Sequence, residues 1–241
     1  MTLHVFETHD ALSLAVANEI IHRLKSKPAS VICLATGDTP LKSYQILVEL
    51  ITKNNVDVSK AHFVALDEWV GVPPENPGSC RYFLTKNLFS PLNIMPDHIH
   101  LFNALSPDIN KECSAMNETL KTLGGIDLMI VGIGMNGHVG FNEPGVSINN
   151  YAHVIGLDEI TQSVGQKYFD QPMKLSQGIT MGWQNILEAR TVILMANGQK
   201  KSDIMKIAVE EEISENCPAT ILQKHADSYF YIDALAAGKL S

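Results

Sequence analysis

The run Ile126-Asp127-Leu128-Met129-Ile130-Val131 passes directly into Gly132-Ile133-Gly134-Met135-Asn136-Gly137-His138-Val139-Gly140-Phe141-Asn142-Glu143-Pro144-Gly145, and this junction decides the fold. A short, almost continuous apolar run reads as a strand buried on both faces, as parallel sheets require. The glycine-rich polar run then lies just past the carboxyl end of that strand, where open α/β sheets place their ligands. Its glycines let the backbone bend sharply and approach a small molecule. Histidine is a side chain suited to acid–base work near neutral pH, and Glu143, five positions after His138, is spaced to orient it or act beside it. Taken alone, the stretch leaves open a plain glycine-rich turn with a surface histidine.

Working outward, short apolar runs alternate with amphipathic segments, the pattern of an α/β fold. The strand candidates are Val31–Ala35, Ala61–Leu66, Ile126–Val131, Thr191–Ala196 and Tyr229–Ile232. Helical spacing occupies Ala11–Lys25, Leu41–Lys53, Ser79–Leu88, Ile109–Leu123 and Lys200–Glu211. In the first of these, Ala11, Leu14, Ala15, Ala17, Ile20, Ile21 and Leu24 recur at three and four and predict one buried face. Pro73-Pro74 and Pro77-Gly78 mark a loop, and no repeat or linker divides the chain. The expectation is one domain over residues 1–241, a Rossmann-like, doubly wound, mostly parallel sheet with helices on both faces.

Composition narrows the function classes. The chain has 241 residues, 45% hydrophobic and 18% charged, which supports a sizeable core and argues against disorder. A formal charge of −8 with no Lys/Arg cluster disfavours nucleic acid as a partner. The start Met1-Thr2-Leu3-His4-Val5-Phe6 has neither a basic nor a long apolar region, and no segment has the ~20 apolar residues of a membrane helix. A cytoplasmic protein without membrane attachment is expected. Cys33, Cys80, Cys113 and Cys217 form no CxxC pair, and His98 and His100 have no partner at ligand spacing, so no metal site is expected.

Four stations carry candidate chemistry. Thr36-Gly37-Asp38-Thr39-Pro40 joins a strand to a helix; Thr39 is placed as N-cap and Pro40 as the first helical residue, with free N–H groups for an anion. It is neither a Walker loop nor GxGxxG, and as a lone motif it is weak. Leu66-Asp67-Glu68-Trp69 ends a strand with two carboxylates that point to opposite sides, so only one can face a given site. A carboxylate against an apolar wall can be raised into the range useful for moving protons, although a polar strand exit reads the same way. The loop with His138 and Glu143 is the third station. Lys167 and Lys200 form the fourth, as point charges for a phosphate or as ordinary surface lysines.

Together, TGxTP, then Asp-Glu with an aromatic, then GxGxxGHxxxNEP resemble the glucosamine-6-phosphate deaminase/isomerase family, a relative of the 6-phosphogluconolactonases. The resemblance covers nearly the whole chain, and Asn142-Glu143-Pro144 is its most specific part. The wording of Val31–Gly37, Leu66–Val70 and Gly134–His138 is most similar to the galactosamine-6-phosphate isomerase branch. What the resemblance implies is conversion of an amino-sugar phosphate to a ketohexose phosphate with loss of ammonia and without a cofactor: galactosamine 6-phosphate to tagatose 6-phosphate first, or glucosamine 6-phosphate to fructose 6-phosphate. His138 would move the proton in ring opening with Glu143 orienting it, and Asp67 would shuttle a proton between C2 and C1. Thr36, Gly37, Asp38 and Thr39, with Lys167 and Lys200, would hold the 6-phosphate. A lactone hydrolase and a non-catalytic sugar-phosphate sensor are the alternatives. The chain's partner would be the small-molecule substrate, with a second copy of itself as a further option.

Three residues depart from the family pattern that the resemblance implies. Asn136 stands where most deaminases carry aspartate beside the histidine, and an amide there can orient a ring N–H without supplying charge. Asp38 replaces a small residue, so its charge must point away from the phosphate or meet a cation. Lys167 replaces an arginine, exchanging a bidentate donor for a point charge. Residues from about 156 to 177 combine polar side chains with Gly165 and Pro172 and are expected to form a lid that brings Lys167 to the phosphate.

Overall fold

The computed structural model describes residues 1–241. All five strand candidates lie in one parallel sheet. They correspond to β2 (Val31–Leu34), β3 (His62–Ala65), β6 (Leu128–Gly132), β9 (Val192–Ala196) and β10 (Ser228–Asp233). Two strands join them at the edges, β1 (Thr2–Phe6) and β5 (Ile99–His100), giving the order β1-β10-β9-β6-β2-β3-β5 with every neighbour parallel. The edge strands escape a hydrophobic reading because they are not continuously buried: β1 is mostly exposed and β5 only half-buried.

Burial alternates along the central strands and shows why helices are needed on both sides. Cys33, Met129, Val131 and Leu194 enter one core with α4 (Ile109–Leu123), α6 (Trp183–Leu187) and α7 (Ser202–Glu210). Ile32, Leu34, Ile130 and Ile193 enter the other with α1 (His9–Ser26) and α2 (Asp38–Asn54). Each fully buried aliphatic side chain contributes about 1.5–3 kcal/mol. The buried face of α1 is Leu12, Val16, Ala17, Ile20, Ile21 and Leu24, so the expected stripe is correct in its second half only. Ala11 and Leu14 face solvent. At the start of β6, Asp127 is wholly buried, accepts from the Val31 N–H and pairs with Lys27 and Arg190, fastening the amino end of the sheet.

Two junctions differ from the sequence expectation. Asp67-Glu68-Trp69 does not end β3 but forms β4 (Asp67–Trp69), which belongs to a small antiparallel sheet β4-β8-β7 with β8 (Gln177–Thr180) and β7 (His153–Gly156). Helix α2 begins at Asp38, so its N-cap is Gly37 at φ 110° and not Thr39; Thr39 and Pro40 lie inside the first turn. Glycine tolerates that backbone, and it draws the chain into the helix one step earlier than a threonine cap would. The expected helix at Ser79–Leu88 is α3 (Cys80–Leu84) continued by a π-helical turn over Thr85–Phe89.

The strand order reverses between β2 and β6. The chain leaves β2 toward β3 on one side and leaves β6 toward β9 on the other. The crevice between their carboxyl ends therefore receives both Thr36–Pro40 and Gly132–Glu143, a ligand position of doubly wound sheets.

Candidate active site

A cavity of about 810 Å³ opens at this crevice. Thr36, Gly37, Asp38, Thr39, Asp67, His138, Lys167 and Lys200 all line it, so residues scattered over five parts of the chain share one space. Asn136 and Glu143 stand behind His138 and reach the cavity through it.

On the histidine side, His138 Nδ1 lies 3.2 Å from Glu143 Oε2 and 3.1 Å from the Thr161 hydroxyl. An ionised carboxylate only accepts, so Nδ1 carries the proton and Nε2 is left as the acceptor. Burial disfavours the Glu143 charge, but hydrogen bonds and charge from His138, with those from Thr161 and Asn136, outweigh it and hold the carboxyl below its ordinary range. The Asn136 amide does not orient the ring, as the sequence suggested. Its Nδ2 donates to Glu143 Oε2 at 2.7 Å, while its Oδ1 accepts from the His138 backbone N–H at 3.2 Å. The imidazole lies over Gly134, where any Cβ would sit 2.5 Å from the ring, so only glycine admits this pose.

On the carboxylate side, the two neighbours at the start of β4 do point apart. Glu68 turns away and accepts from the backbone N–H groups of Trp69, Cys80 and Arg81 and from the Ser79 hydroxyl, at 2.8–2.9 Å. It thereby satisfies the amino end of α3, where a negative charge is favoured. Asp67 faces the cavity with one weak donor, the Cys80 thiol at 3.5 Å. Burial, reinforced by the charge of Glu68, raises its carboxyl to about 7.

The remaining side of the cavity is formed by the first turn of α2 and by Lys167, Lys200 and Lys201, distant from it in sequence. Thr36 donates to Cys80 Sγ at 3.2 Å, and Thr39 donates to Asn197 Oδ1 at 2.6 Å. Lys167 pairs with Asp38 at 2.6 Å, so the two departures from the family pattern answer each other. Lys200 is exposed at the rim, whereas its neighbour Lys201 is half-buried and donates to the Ile133 carbonyl. Burial, with the nearby charge of Lys167, lowers the Lys201 ammonium to about 8. Sequence reasoning chose the first lysine of this doublet. Nothing in the sequence separates the two lysines; the 3₁₀ turn over Gln199–Lys201 leaves Lys200 outside and brings Lys201 to the Ile133 carbonyl.

The segment between β7 and β8 covers the cavity. It holds α5 (Glu159–Gly165) and a 3₁₀ turn over Gln166–Tyr168. Trp69, Phe141, Leu157 and Leu175 form a small core with Tyr168 and Phe169 packed against it. This places Thr161 against His138 and Lys167 against Asp38. Thr161 was missed because nothing local distinguishes it; only the packing of α5 brings it to the ring.

Known proteins resemble this chain in sequence and in fold. The family model described as glucosamine-6-phosphate isomerases/6-phosphogluconolactonase matches residues 7–231. A glucosamine-6-phosphate deaminase of Clostridium botulinum is 37% identical over 242 residues, covering 100% of this chain and 99% of its own. One from Lachnoclostridium phytofermentans is 40% identical over 221 residues, 91% of this chain and 94% of its own. A solved structure described as a monomeric glucosamine-6-phosphate deaminase superposes with a TM-score of 0.96 at 32% identity, covering 99% of this chain and all of the other. The 6-phosphogluconolactonase of Trypanosoma brucei, at 20% identity and a TM-score of 0.79, shares the fold. No helix is long and apolar enough to cross a membrane. With the motifs, the sheet and the crevice in agreement, the chain belongs to the glucosamine-6-phosphate isomerase/6-phosphogluconolactonase family.

Proposed function

We propose that this protein deaminates and isomerises a hexosamine 6-phosphate, taking glucosamine 6-phosphate and water to fructose 6-phosphate and ammonia. The observation that carries the reading is one cavity holding two proton carriers of opposite character, Asp67 and the His138–Glu143 pair, beside an anion site. That arrangement suits two successive proton transfers on a phosphorylated sugar. The deaminases among the relatives supply the substrate class.

In this reading, the 6-phosphate lies at the amino end of α2, where the dipole and free N–H groups favour an anion, with Lys167, Lys200 and Lys201 as cationic donors. His138 Nε2 takes the anomeric hydroxyl proton as the ring opens and returns a proton to the ring oxygen. Glu143 fixes the tautomer, and Asn136 fixes Glu143. Asp67, its carboxyl raised to about 7 and so able to take and give a proton near neutral pH, removes the C2 proton and delivers it to C1, while a proton passes from the amine to the C1 oxygen. The open-chain amino aldehyde thus becomes a C2 imine, which water hydrolyses to the ketone with release of ammonia. Residues from about 156 to 177 act as a lid that excludes bulk water during these steps.

Galactosamine 6-phosphate, which would give tagatose 6-phosphate, is the second substrate favoured, on the wording of Val31–Gly37, Leu66–Val70 and Gly134–His138. Ammonia release measured on both epimers, alongside hydrolysis of 6-phosphogluconolactone, tests the assignment. Turnover of either amino sugar supports it. Lactone hydrolysis without ammonia, or tight sugar-phosphate binding without turnover, overturns it.

A further inference from the structure

Asp38 places a carboxylate where an incoming anion is expected. It is the first residue of a 17-residue helix, next to Gly37 at the lining of the cavity. An anion is favoured there by the helix N-terminus. Its partner across 129 residues of sequence is Lys167, at 2.6 Å, on the turn that follows α5. The ammonium also lies over the Tyr168 ring, 4.7 Å from its centroid. The same segment presses Thr161 against His138, so the ion pair is the polar link between the covering segment and the anion loop. Both side chains are partly exposed, 73% for Asp38 and 48% for Lys167. Such a pair holds weakly and exchanges at little cost. The chain thus sets a carboxylate of its own on a cation beside the proposed phosphate site.

Resting on the phosphate site proposed above, we infer that Asp38 is an internal counter-anion: it docks Lys167 and the covering segment in the free protein, and the substrate phosphate displaces it. Two consequences have opposite signs. Losing the Asp38 charge removes competition and repulsion, so phosphate binds more tightly. Losing it also frees Lys167, so the covering segment opens more often when the site is empty.

The test uses the full chain and inorganic phosphate as the probe. Calorimetric titration at fixed salt should give Asp38→Asn about three- to tenfold tighter phosphate binding, as expected for release of an exposed charge pair. Amide hydrogen exchange over residues 159–168 of the free variant should rise about two- to fivefold. In a Lys167→Met background, adding Asp38→Asn should leave that exchange unchanged, because the link is already cut. Phosphate affinity that is unchanged, weaker or immeasurable in both proteins overturns the inference. So does unchanged exchange in Asp38→Asn, or an equal effect in the Lys167→Met background. Ammonia release by the unaltered protein is scored separately. If the reaction fails while the Asp38 effects appear, the proposed activity falls and this inference stands; the reverse result removes only the inference.

Discussion

Asp67 and Glu143 are both buried carboxylates of the same crevice, yet their surroundings push them in opposite directions. Glu143 sits among donors from Asn136, His138 and Thr161 and is held ionised. Asp67 is buried beside a negative charge, with a single thiol as donor, and it is raised to about 7. Burial is common to both, so burial alone does not decide the outcome; the number of donors facing each oxygen does. In the proposed reaction, one carboxylate is the fixed charge that orients a histidine, and the other is the group that gains and loses protons. Such separated pairs are how one site assigns its acid–base roles.

The comparison breaks most visibly if the two carboxylates prove equally important to turnover. Asp67→Asn removes the group that would handle the C2 and C1 protons and should lower kcat by roughly 10³-fold. Glu143→Gln leaves the proton carriers in place and spoils their orientation, for about 10²-fold. Ammonia release under saturating substrate measures both. A Glu143 variant as impaired as the Asp67 variant would show that Glu143 does more than orient.

A smaller but more local effect is expected from Gly134→Ala. Its Cβ would fall 2.5 Å from the His138 ring, so the imidazole must leave its pose over the loop. Displacing a reacting group by about 1 Å costs about 10²-fold or somewhat less in kcat, with the fold retained. An unchanged kcat would mean that the ring can move without loss.

Asn136→Asp converts the Glu143 side toward the Asp67 type. The donor now 2.7 Å from Glu143 Oε2 would become a second carboxylate. Like charges at that distance cannot both ionise, so one must hold a proton and the orientation of His138 is disturbed. Activity should fall about tenfold, in proportion to one lost orienting bond. Steady-state kinetics on glucosamine 6-phosphate and galactosamine 6-phosphate would decide it. A gain in kcat/KM on both sugars would refute the expectation, and a gain on the glucosamine epimer alone would tie this residue to substrate choice.

The parts legible in the sequence are those whose neighbours in space are also neighbours in sequence, or whose burial is continuous. β2, β6 and β9 are buried on both faces and therefore read as unbroken apolar runs. The loop from Gly132 to Glu143 declares its own chemistry because histidine, carboxylate and glycines lie within a few residues. β7 and β8 stayed hidden for different reasons: β7 is only half-buried, and β8 is buried but just four residues long, with Gln177 and Gly178 leaving it no apolar run. Thr161 and Lys201 were hidden for another reason. A threonine on a short helix and the second of two adjacent lysines acquire meaning only when α5 and the turn before α7 are docked. The roles of Asn136 and Thr39 were misplaced by the same limit. Each has a polar partner that spacing does not name: Glu143 for Asn136 and Asn197 for Thr39.

The smallest effect sharpens the comparison without measuring activity. A carboxyl raised to about 7 in the folded protein, against an ordinary value of 3.8, binds more protons folded than unfolded between those limits. Stability is then lost as pH rises through that window, because the folded state retains a proton that the unfolded state releases. Glu143 has the opposite sign: its lowered carboxyl adds stability above its unfolded value, which is lost as pH falls through the folded one. Asp67→Asn removes only the first term. Relative to the unaltered protein, the variant should gain stability progressively from about pH 4 to about pH 7, by about 2–4 kcal/mol in total. Urea melts at intervals across that range measure it. A constant difference between the two proteins over the whole window would mean that Asp67 is not raised, and the contrast between the two carboxylates would be lost.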